Sequence, residues 1–222
     1  MCRGMTDRKK QMKKVGKHVI LWVALFLVAA VLEYVVYLHY DSLSEHPIIL
    51  NRYLAVKPVY NTDGSWLHGR WGIGYNGLLL CLENIAALLV AAYLFRMIAS
   101  YNAFFGLSAG WVYVIDLEIA VPLFRLADRL FHPYTLDYLR VRGYGTFDFP
   151  DLCLGTGLAG VLLWLIPALC KYYRYKKEKT VGMGFVEKLK WEFRMSGRIL
   201  YVPFVKRSGW EERFEKWRAE GK

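Results

Sequence analysis

Two aspartates, Asp137 and Asp151, lie in a short loop between two strongly apolar stretches of the chain. Carboxylates beside the hydrocarbon layer of a membrane are costly, so acids kept there indicate a functional site. Two neighbouring carboxylates cannot both ionise easily, so one keeps a proton and can hydrogen-bond a carbonyl oxygen. The other can take a proton from water, which then attacks the carbonyl carbon. The pair therefore predicts hydrolysis of an amide bond.

The same two acids have a second interpretation, as solvated loop acids or helix caps. Asp151 directly precedes an apolar segment and could cap the N-terminus of a helix there. If the two act as a catalytic pair they titrate as a unit, so the sequence does not say which one is the base.

The composition favours a small membrane protein that crosses the bilayer several times. Of the 222 residues 55% are hydrophobic, and the mean hydropathy is +0.20. This is too apolar for an ordinary soluble domain. Four segments have roughly the 20 residues that a helix needs to cross a hydrocarbon core. These predicted spans are 19–38, 75–95, 103–126 and 152–170.

The net charge of +11 is concentrated at the two ends of the chain. Seven basic residues precede the first span and 15 follow residue 170, against six in the long connections 39–74 and 127–151. By the positive-inside bias, both termini are predicted to be cytoplasmic and both connections to face outward. This distribution argues against a nucleic-acid partner and favours contact with anionic membrane lipids.

These patterns divide the chain into a basic cytoplasmic arm, 1–18, a four-span membrane domain, 19–172, and a basic, aromatic tail, 173–222. Short β-like runs such as 53–56 predict a small sheet on the membrane surface. Aromatic residues alternate with charges in the tail, which is typical of one or two interfacial amphipathic helices and equally of a solvated tail with some packing. The predicted fold class is an all-α integral membrane protein with four transmembrane helices, a small extracytoplasmic β-sheet and a cytoplasmic amphipathic tail.

The order of these features resembles the lipoprotein signal peptidase family, signal peptidase II, over about residues 19–172. The turn Asn-Thr-Asp-Gly at 61–64 stands where the family has an Asn-Thr-Gly-like turn, and Asp128-Arg129 matches the pair that closes its third span. Asp137 and Asp151 stand where its two catalytic aspartates belong. No single motif is strong, but their order relative to the spans is moderately specific.

The resemblance implies an aspartic endopeptidase of a bacterial inner or plasma membrane, with Asp137 and Asp151 as the catalytic residues and no cofactor or metal. Its substrate would be a prolipoprotein carrying a diacylglyceryl cysteine, cut just before that cysteine to remove the signal peptide. Five further residues are predicted to bind the substrate: Asn61, Asp128, Arg129, Glu33 and Asp148.

Three departures from the family pattern fall close to these residues. Phe124-Arg125 replaces the family's Gly-Asn, Asp148 replaces an Asn, and Tyr37 replaces a Lys. Arg125 follows Glu118 by seven residues, on the same helical face, which predicts a buried ion pair between them. The catalytic pair is therefore kept while its surroundings have changed, which fits a diverged enzyme.

Other functions are less well supported by the sequence. Gly106 to Gly110 matches the Gly-x-Ser-x-Gly pattern of serine hydrolases, but it opens an apolar helix rather than a strand–turn–helix, and small residues at this spacing are ordinary in membrane helices. A non-catalytic membrane binding or assembly protein with the same fold is the main alternative. An ion or proton carrier is weaker, and it would use four acids within the spans: Glu33, Glu83, Asp116 and Glu118.

Overall fold

The computed structural model describes residues 2–62, 66–73, 76–201, 204, 213–214 and 216–217. The described chain is mostly helical, with one small sheet. Its helices are α1 (Cys2–Leu38), α2 (Tyr40–Glu45), α3 (Trp66–Trp71), α4 (Gly77–Phe105), α5 (Tyr113–Asp128), α6 (Phe149–Lys179) and α7 (Phe185–Tyr201), with a 3₁₀ turn at Ala109–Val112. Its strands are β1 (Ile48–Ile49), β2 (Leu54–Asn61), β3 (Thr135–Val141) and β4 (Gly145–Phe147). The chain divides into two compact units, Met1–Leu89 with Asp116–Gly157, and Val90–Ile115 with Leu158–Lys222.

Three helices of the described chain are long and apolar enough to cross a membrane: Val15–Leu38 within α1, α4 and α6. They contain the predicted spans 19–38 and 152–170 and nearly all of 75–95, so these three predictions are confirmed. Their outward faces carry many exposed leucines, valines and isoleucines. Large exposed apolar surfaces are costly in water and are satisfied by lipid. The protein is therefore a membrane protein.

The fourth predicted span, 103–126, is wrong as a single crossing helix. α4 continues to Phe105, the chain turns at Gly106 in the left-handed region (φ +64°), and α5 begins only at Tyr113. α5 has 16 residues, which at 1.5 Å per residue gives roughly 24 Å, short of the roughly 30 Å of a hydrocarbon core. The mean hydropathy of the segment does not reveal the turn, because a single glycine is enough to allow it.

The predicted small sheet is present, and it takes strands from both long connections. All four strands run antiparallel in the order β1-β2-β3-β4. The run 53–56 enters β2 as predicted, but β3 and β4 come from the second connection, 127–151, which was expected to be a loop. The register between β2 and β3 shifts between Val56 and Val59, at the buried Pro58. Proline has no N–H to donate to the ladder, so a bulge forms there.

In the second unit, α6 lies against the end of α4 and the start of α5. Trp164 donates from Nε1 to the side-chain oxygen of Asn102 (2.9 Å), and Tyr101 donates to the carbonyl of Ala168 (3.0 Å). A Cβ on Gly160 would lie 2.6 Å from Val114, so only glycine permits this approach. The Ser108 hydroxyl accepts from the N–H of Gly110 (3.2 Å), so this serine caps the 3₁₀ turn.

The predicted amphipathic helix of the tail is α7. Its buried Met195 packs with Phe104 of α4 and with Phe214, and Trp191 and Ile199 lie on the same face of the helix. Residues at this spacing of four fall on one side of a helix. Most of the tail beyond 201, and the turn residues Asp63 and Gly64 of the family-like motif, lie outside the described residues.

Candidate active site

Asp137 reaches the candidate site from the middle of β3, not from a loop as predicted. It lies opposite Val59 of β2, and the first four residues of β3 are all buried. The next residue, Tyr138, accepts a hydrogen bond at its hydroxyl from the backbone N–H of Phe149 (3.1 Å), the first residue of α6. This bond joins β3 to the start of α6, where Asp148 and Asp151 lie.

Asp148 and Asp151 cap the N-terminus of α6 reciprocally. The N–H of Asp151 donates to Oδ1 of Asp148 (2.8 Å), and the N–H of Asp148 donates to Oδ2 of Asp151 (3.2 Å). This is the arrangement of a capping box, and both acids also oppose the positive end of the helix dipole. Asp148 is therefore the cap residue, and Asp151 occupies the third helical position rather than the cap position that its sequence suggested.

Arg125 of α5 binds both of these acids. Its Nη1 lies 2.7 Å from Oδ2 of Asp148, and its Nη2 donates to Oδ1 of Asp151 (3.1 Å). The prediction that Arg125 pairs with Glu118 is wrong, because Arg125 binds Asp148 and Asp151 at the start of α6. Helical spacing brings Glu118 near, but an arginine pairs best where its two nitrogens can meet two acceptors at once.

Asp137, Asp148 and Asp151 form a group that we call the three-acid group. One carboxylate oxygen of each lies within 4.8 Å of the others. Asn61, at the end of β2, donates from Nδ2 to Oδ2 of Asp137 (3.1 Å). The structure thus brings together both predicted catalytic residues and two of the predicted substrate-binding residues, Asn61 and Asp148.

The environment of Asp137 favours its protonated form. The residue is 8% exposed, and burial together with the nearby charge of Asp151 raises its pKa to about 6. Arg125 and the hydrogen bond from Asn61 act in the opposite direction. Burial also raises the pKa of Asp148, against the effect of Arg125. Asp151 differs in access, because its side chain is 37% exposed and can meet water.

The three-acid group offers only carboxylate oxygens, which are the ligands that Mg²⁺ and Ca²⁺ prefer. However, the guanidinium of Arg125 already supplies a positive charge to two of the three acids. A metal cation bound there would either displace the guanidinium or be repelled by it. The arrangement is better suited to holding a proton between two carboxylates than to holding a metal ion.

Two of the remaining predicted site residues, Glu33 of α1 and Asp128 at the end of α5, form a second group with His132, which we call the histidine–acid group. His132 Nδ1 lies 2.8 Å from Oδ1 of Asp128. Arg129, predicted to bind substrate or to orient Asp128, donates from Nη2 to Oγ1 of Thr135 (2.8 Å). No role in this group was predicted for His132, although its spacing of four from Asp128 at a helix end could have indicated the contact.

Two acids without an assigned role prove to be structural. Asp116, which is fully buried, accepts from Nε1 of Trp22 (2.8 Å) and pairs with Nδ1 of His18 (2.8 Å), which joins α5 to α1. Glu83 pairs with His68 of α3 (2.9 Å). Both contacts satisfy acids that would otherwise be costly within apolar surroundings.

Comparisons with solved structures show that the fold of this chain is similar to known folds. Two structures described as bacterial membrane enzymes, solved by the in meso method at 2.3 Å and 1.9 Å resolution, are similar to this chain, with TM-scores of 0.54 and 0.55. The chain shares its fold with bacterial membrane enzymes. Sequence identity is only 19% and 18%, over 69% and 68% of this chain and 89% and 93% of the two others. No protein-family model and no curated protein matches the chain.

Proposed function

We propose that this protein is a membrane aspartic endopeptidase that removes the signal peptide from lipid-modified prolipoproteins, ahead of the diacylglyceryl cysteine. One observation carries the proposal: Asp137 and Asp151 come from separate elements, and their carboxylate oxygens lie within 4.8 Å. The fold shared with bacterial membrane enzymes supports a membrane enzyme in general. The substrate class rests on the sequence resemblance to signal peptidase II.

We assign the roles of the two acids from their different access to water. Burial and the neighbouring Asp151 raise the pKa of Asp137 to about 6, so we assign to Asp137 the proton that the pair shares and the hydrogen bond to the scissile carbonyl oxygen. Asp151 is partly exposed and takes a proton from the attacking water, whose oxygen bonds to the carbonyl carbon. When the tetrahedral intermediate collapses, the C–N bond breaks and a proton passes from Asp151 to the leaving amine.

Arg125 and the α6 cap position Asp151 for this role. One oxygen of Asp151 accepts from Arg125 and the other from the N–H of Asp148, so the carboxylate plane is fixed. Each oxygen has a second lone pair free to accept from water. Asn61 similarly fixes Asp137 through its Oδ2. A fixed geometry contributes to the rate because the reacting atoms need not be ordered during the reaction.

The assay that tests the proposal uses the full chain in detergent and a prolipoprotein with a diacylglyceryl cysteine, followed by gel shift. Cleavage at the peptide bond before that cysteine is expected. The same polypeptide without the lipid is the matched substrate control and should be cut much more slowly. If neither substrate is cut by a folded, monodisperse protein, the proposal fails.

The main alternative, a non-catalytic membrane binding or assembly protein, has one observation in its favour. The reciprocal cap on α6 gives Asp148 and Asp151 a structural task that needs no chemistry. The alternative does not account for Asp137, a third acid buried beside them. An ion carrier is less well supported, because Asp116 and Glu83 are bound by His18, Trp22 and His68.

We also propose that both termini are cytoplasmic, which requires the 3₁₀ turn and α5 together to make a fourth crossing that α5 alone is too short for. In this orientation the sheet and the three-acid group lie at the outer face of the membrane. The basic residues of the two terminal regions, 22 against six in the two long connections, support this orientation. Reporters fused before residue 1 and after Lys222 should both be active only in the cytoplasm. Reporters active on opposite sides would mean that only α1, α4 and α6 cross, and the outer-face location would be withdrawn.

A further inference from the structure

The histidine–acid group joins two helices of the first unit at a point outside the three-acid group. Glu33 projects from α1, while Asp128 ends α5 and His132 follows one turn later. The N–H of His132 donates to the carbonyl of Asp128 (2.9 Å), so the helical turn continues and holds both side chains on the same side. One ligand atom from each residue lies within 4.8 Å of the others.

Asp128 has an oxygen that lacks a partner among the described residues. Its side chain is only 3% exposed, Oδ1 meets His132, and Oδ2 makes no hydrogen bond. A buried acceptor left without a donor costs about 1–3 kcal/mol, and more when it is charged. Such a cost indicates a ligand that supplies positive charge at this oxygen.

A cavity of about 510 Å³ opens beside the group, and all three side chains line it. Its other walls are mainly apolar, from Phe26, Phe124 and Tyr34 among others. Attraction between an ion and carboxylates is stronger beside apolar walls than in water. The cavity also gives access to the three side chains and leaves room for a fourth ligand on the ion.

The donor set selects the kind of ion. One imidazole nitrogen and two carboxylate oxygens fit Zn²⁺, which binds histidine and carboxylates in a tetrahedron. Mg²⁺ and Ca²⁺ prefer oxygen ligands alone, so the histidine disfavours them. In binding Nδ1 of His132 and one oxygen of Asp128, the ion would take the place of the proton that these two groups share. Its charge would also compensate the buried carboxylate whose Oδ2 has no partner among the described residues.

We propose that Glu33, Asp128 and His132 form a site for a zinc-type divalent ion, with its fourth coordination position facing the apolar cavity. The site ties α1 to the end of α5. It does not rest on the proposed protease activity, because its ligands are separate from the three-acid group and it is tested by metal binding.

The test is a calorimetric titration of the metal-stripped full chain in detergent with zinc chloride alone. We expect one zinc ion per chain. His132→Ala removes a ligand whose side chain is 41% exposed, so the fold should survive, and the affinity should fall by at least about 10- to 100-fold. Asp128→Asn should act in the same direction. His46→Ala removes an exposed histidine outside the group and should leave the affinity unchanged.

One further variant and a spectrum make the result decisive. Asp148→Asn changes the three-acid group and should keep zinc binding. Zinc binding that is lost in Asp148→Asn and kept in His132→Ala would put the ion at the other group and overturn the proposal. X-ray absorption of the zinc-bound protein should show oxygen and nitrogen ligands that include one imidazole. Absence of stoichiometric zinc binding by the folded protein, or equal binding by His132→Ala, would also overturn it.

A thermal-stability measurement gives an independent check. Because zinc would bind only the folded chain, it should raise the melting temperature relative to the chelator-treated protein. The rise should be lost in His132→Ala and kept in His46→Ala. The same rise in both variants would contradict the site.

Discussion

The three-acid group and the histidine–acid group each collect three ionisable side chains from separate elements, yet they are neutralised differently. In the first, the guanidinium of Arg125 and two backbone N–H groups satisfy Asp148 and Asp151, while Asp137 accepts from Asn61 and burial raises its pKa. In the second, an imidazole meets one oxygen of Asp128 and the other oxygen has no partner in the described chain.

The difference shows why a count of acids does not define a site. In the three-acid group the fixed guanidinium of Arg125 repels a metal cation. The carboxylates there are therefore better suited to exchanging a proton than to binding a metal ion. Two carboxylates with an imidazole and an unfilled position favour a metal ion. The partners of the acids, rather than the acids themselves, thus determine which chemistry each group can support.

The largest expected effect is on cleavage. Asp137→Asn and Asp151→Asn each keep the shape of the side chain but cannot share the proton, so each should lower prolipoprotein cleavage by about 10²-fold or more. Asp41→Asn, at an exposed acid of α2, is the matched control and should cleave normally. Turnover above about a hundredth of the wild-type rate in either variant would contradict the catalytic pair.

The next effect is on stability, through the buried pair of Arg125 and Asp148. Replacing either residue alone by Asn leaves a buried charge without its partner and should cost about 3–5 kcal/mol of unfolding free energy. The double variant Arg125→Asn/Asp148→Asn places at both positions the residue that signal peptidase II carries there, and it should cost clearly less than the sum of the two. Asn remains a good cap residue for α6.

Denaturation of the four proteins in detergent gives the coupling energy directly. Additive costs would mean that the contact of Arg125 with Asp148 contributes nothing beyond the separate residues. In that case the guanidinium of Arg125 would stabilise Asp151 but not Asp148.

A smaller effect is the pH dependence of stability that Asp137 causes. Its pKa is raised from 3.8 to about 6 in the folded chain. A carboxyl with a raised folded pKa stabilises the fold below the unfolded pKa, and this contribution is lost as the pH rises through about 6. The loss should amount to about 2 kcal/mol between pH 4 and 7.

The measurement compares melting temperatures across this pH range for the wild type and Asp137→Asn, which cannot titrate. The wild type should lose stability relative to the variant as the pH rises, while Asp41→Asn follows the wild type. Parallel curves for the wild type and Asp137→Asn would mean that burial does not raise the pKa of Asp137, and the assignment of Asp137 as the proton holder would fail.

The smallest effect on cleavage is expected from removing the tail. A chain that ends after Thr180 retains both acid groups, so its cleavage rate should match that of the full chain. Its stability should fall, because Phe104 loses Met195 and Phe214. Met195→Ala in the full chain isolates this packing and should cost about 2–5 kcal/mol. Loss of cleavage by the truncated but folded protein would show that α7 belongs to the enzyme.

The residues that the sequence placed correctly are those governed by local rules. The spans within α1, α4 and α6 follow from runs of apolar residues, and α7 follows from its one-sided pattern. An aspartate cap at the start of α6 was predicted for Asp151. In the structure Asp148 and Asp151 cap the helix reciprocally. Local rules work there because the atoms that interact are within a few residues of one another.

The sequence by itself determined that the chain enters the membrane, where three of its helices lie, and which acids stand close to their ends. Only the tertiary structure decided which partner each acid meets. Arg125 binds Asp148 rather than Glu118, β3 forms because β2 lies beside it, and Glu33 reaches Asp128 and His132 from another helix. These contacts join residues far apart in the chain, so their geometry depends on how whole elements pack, which no local pattern of residues specifies.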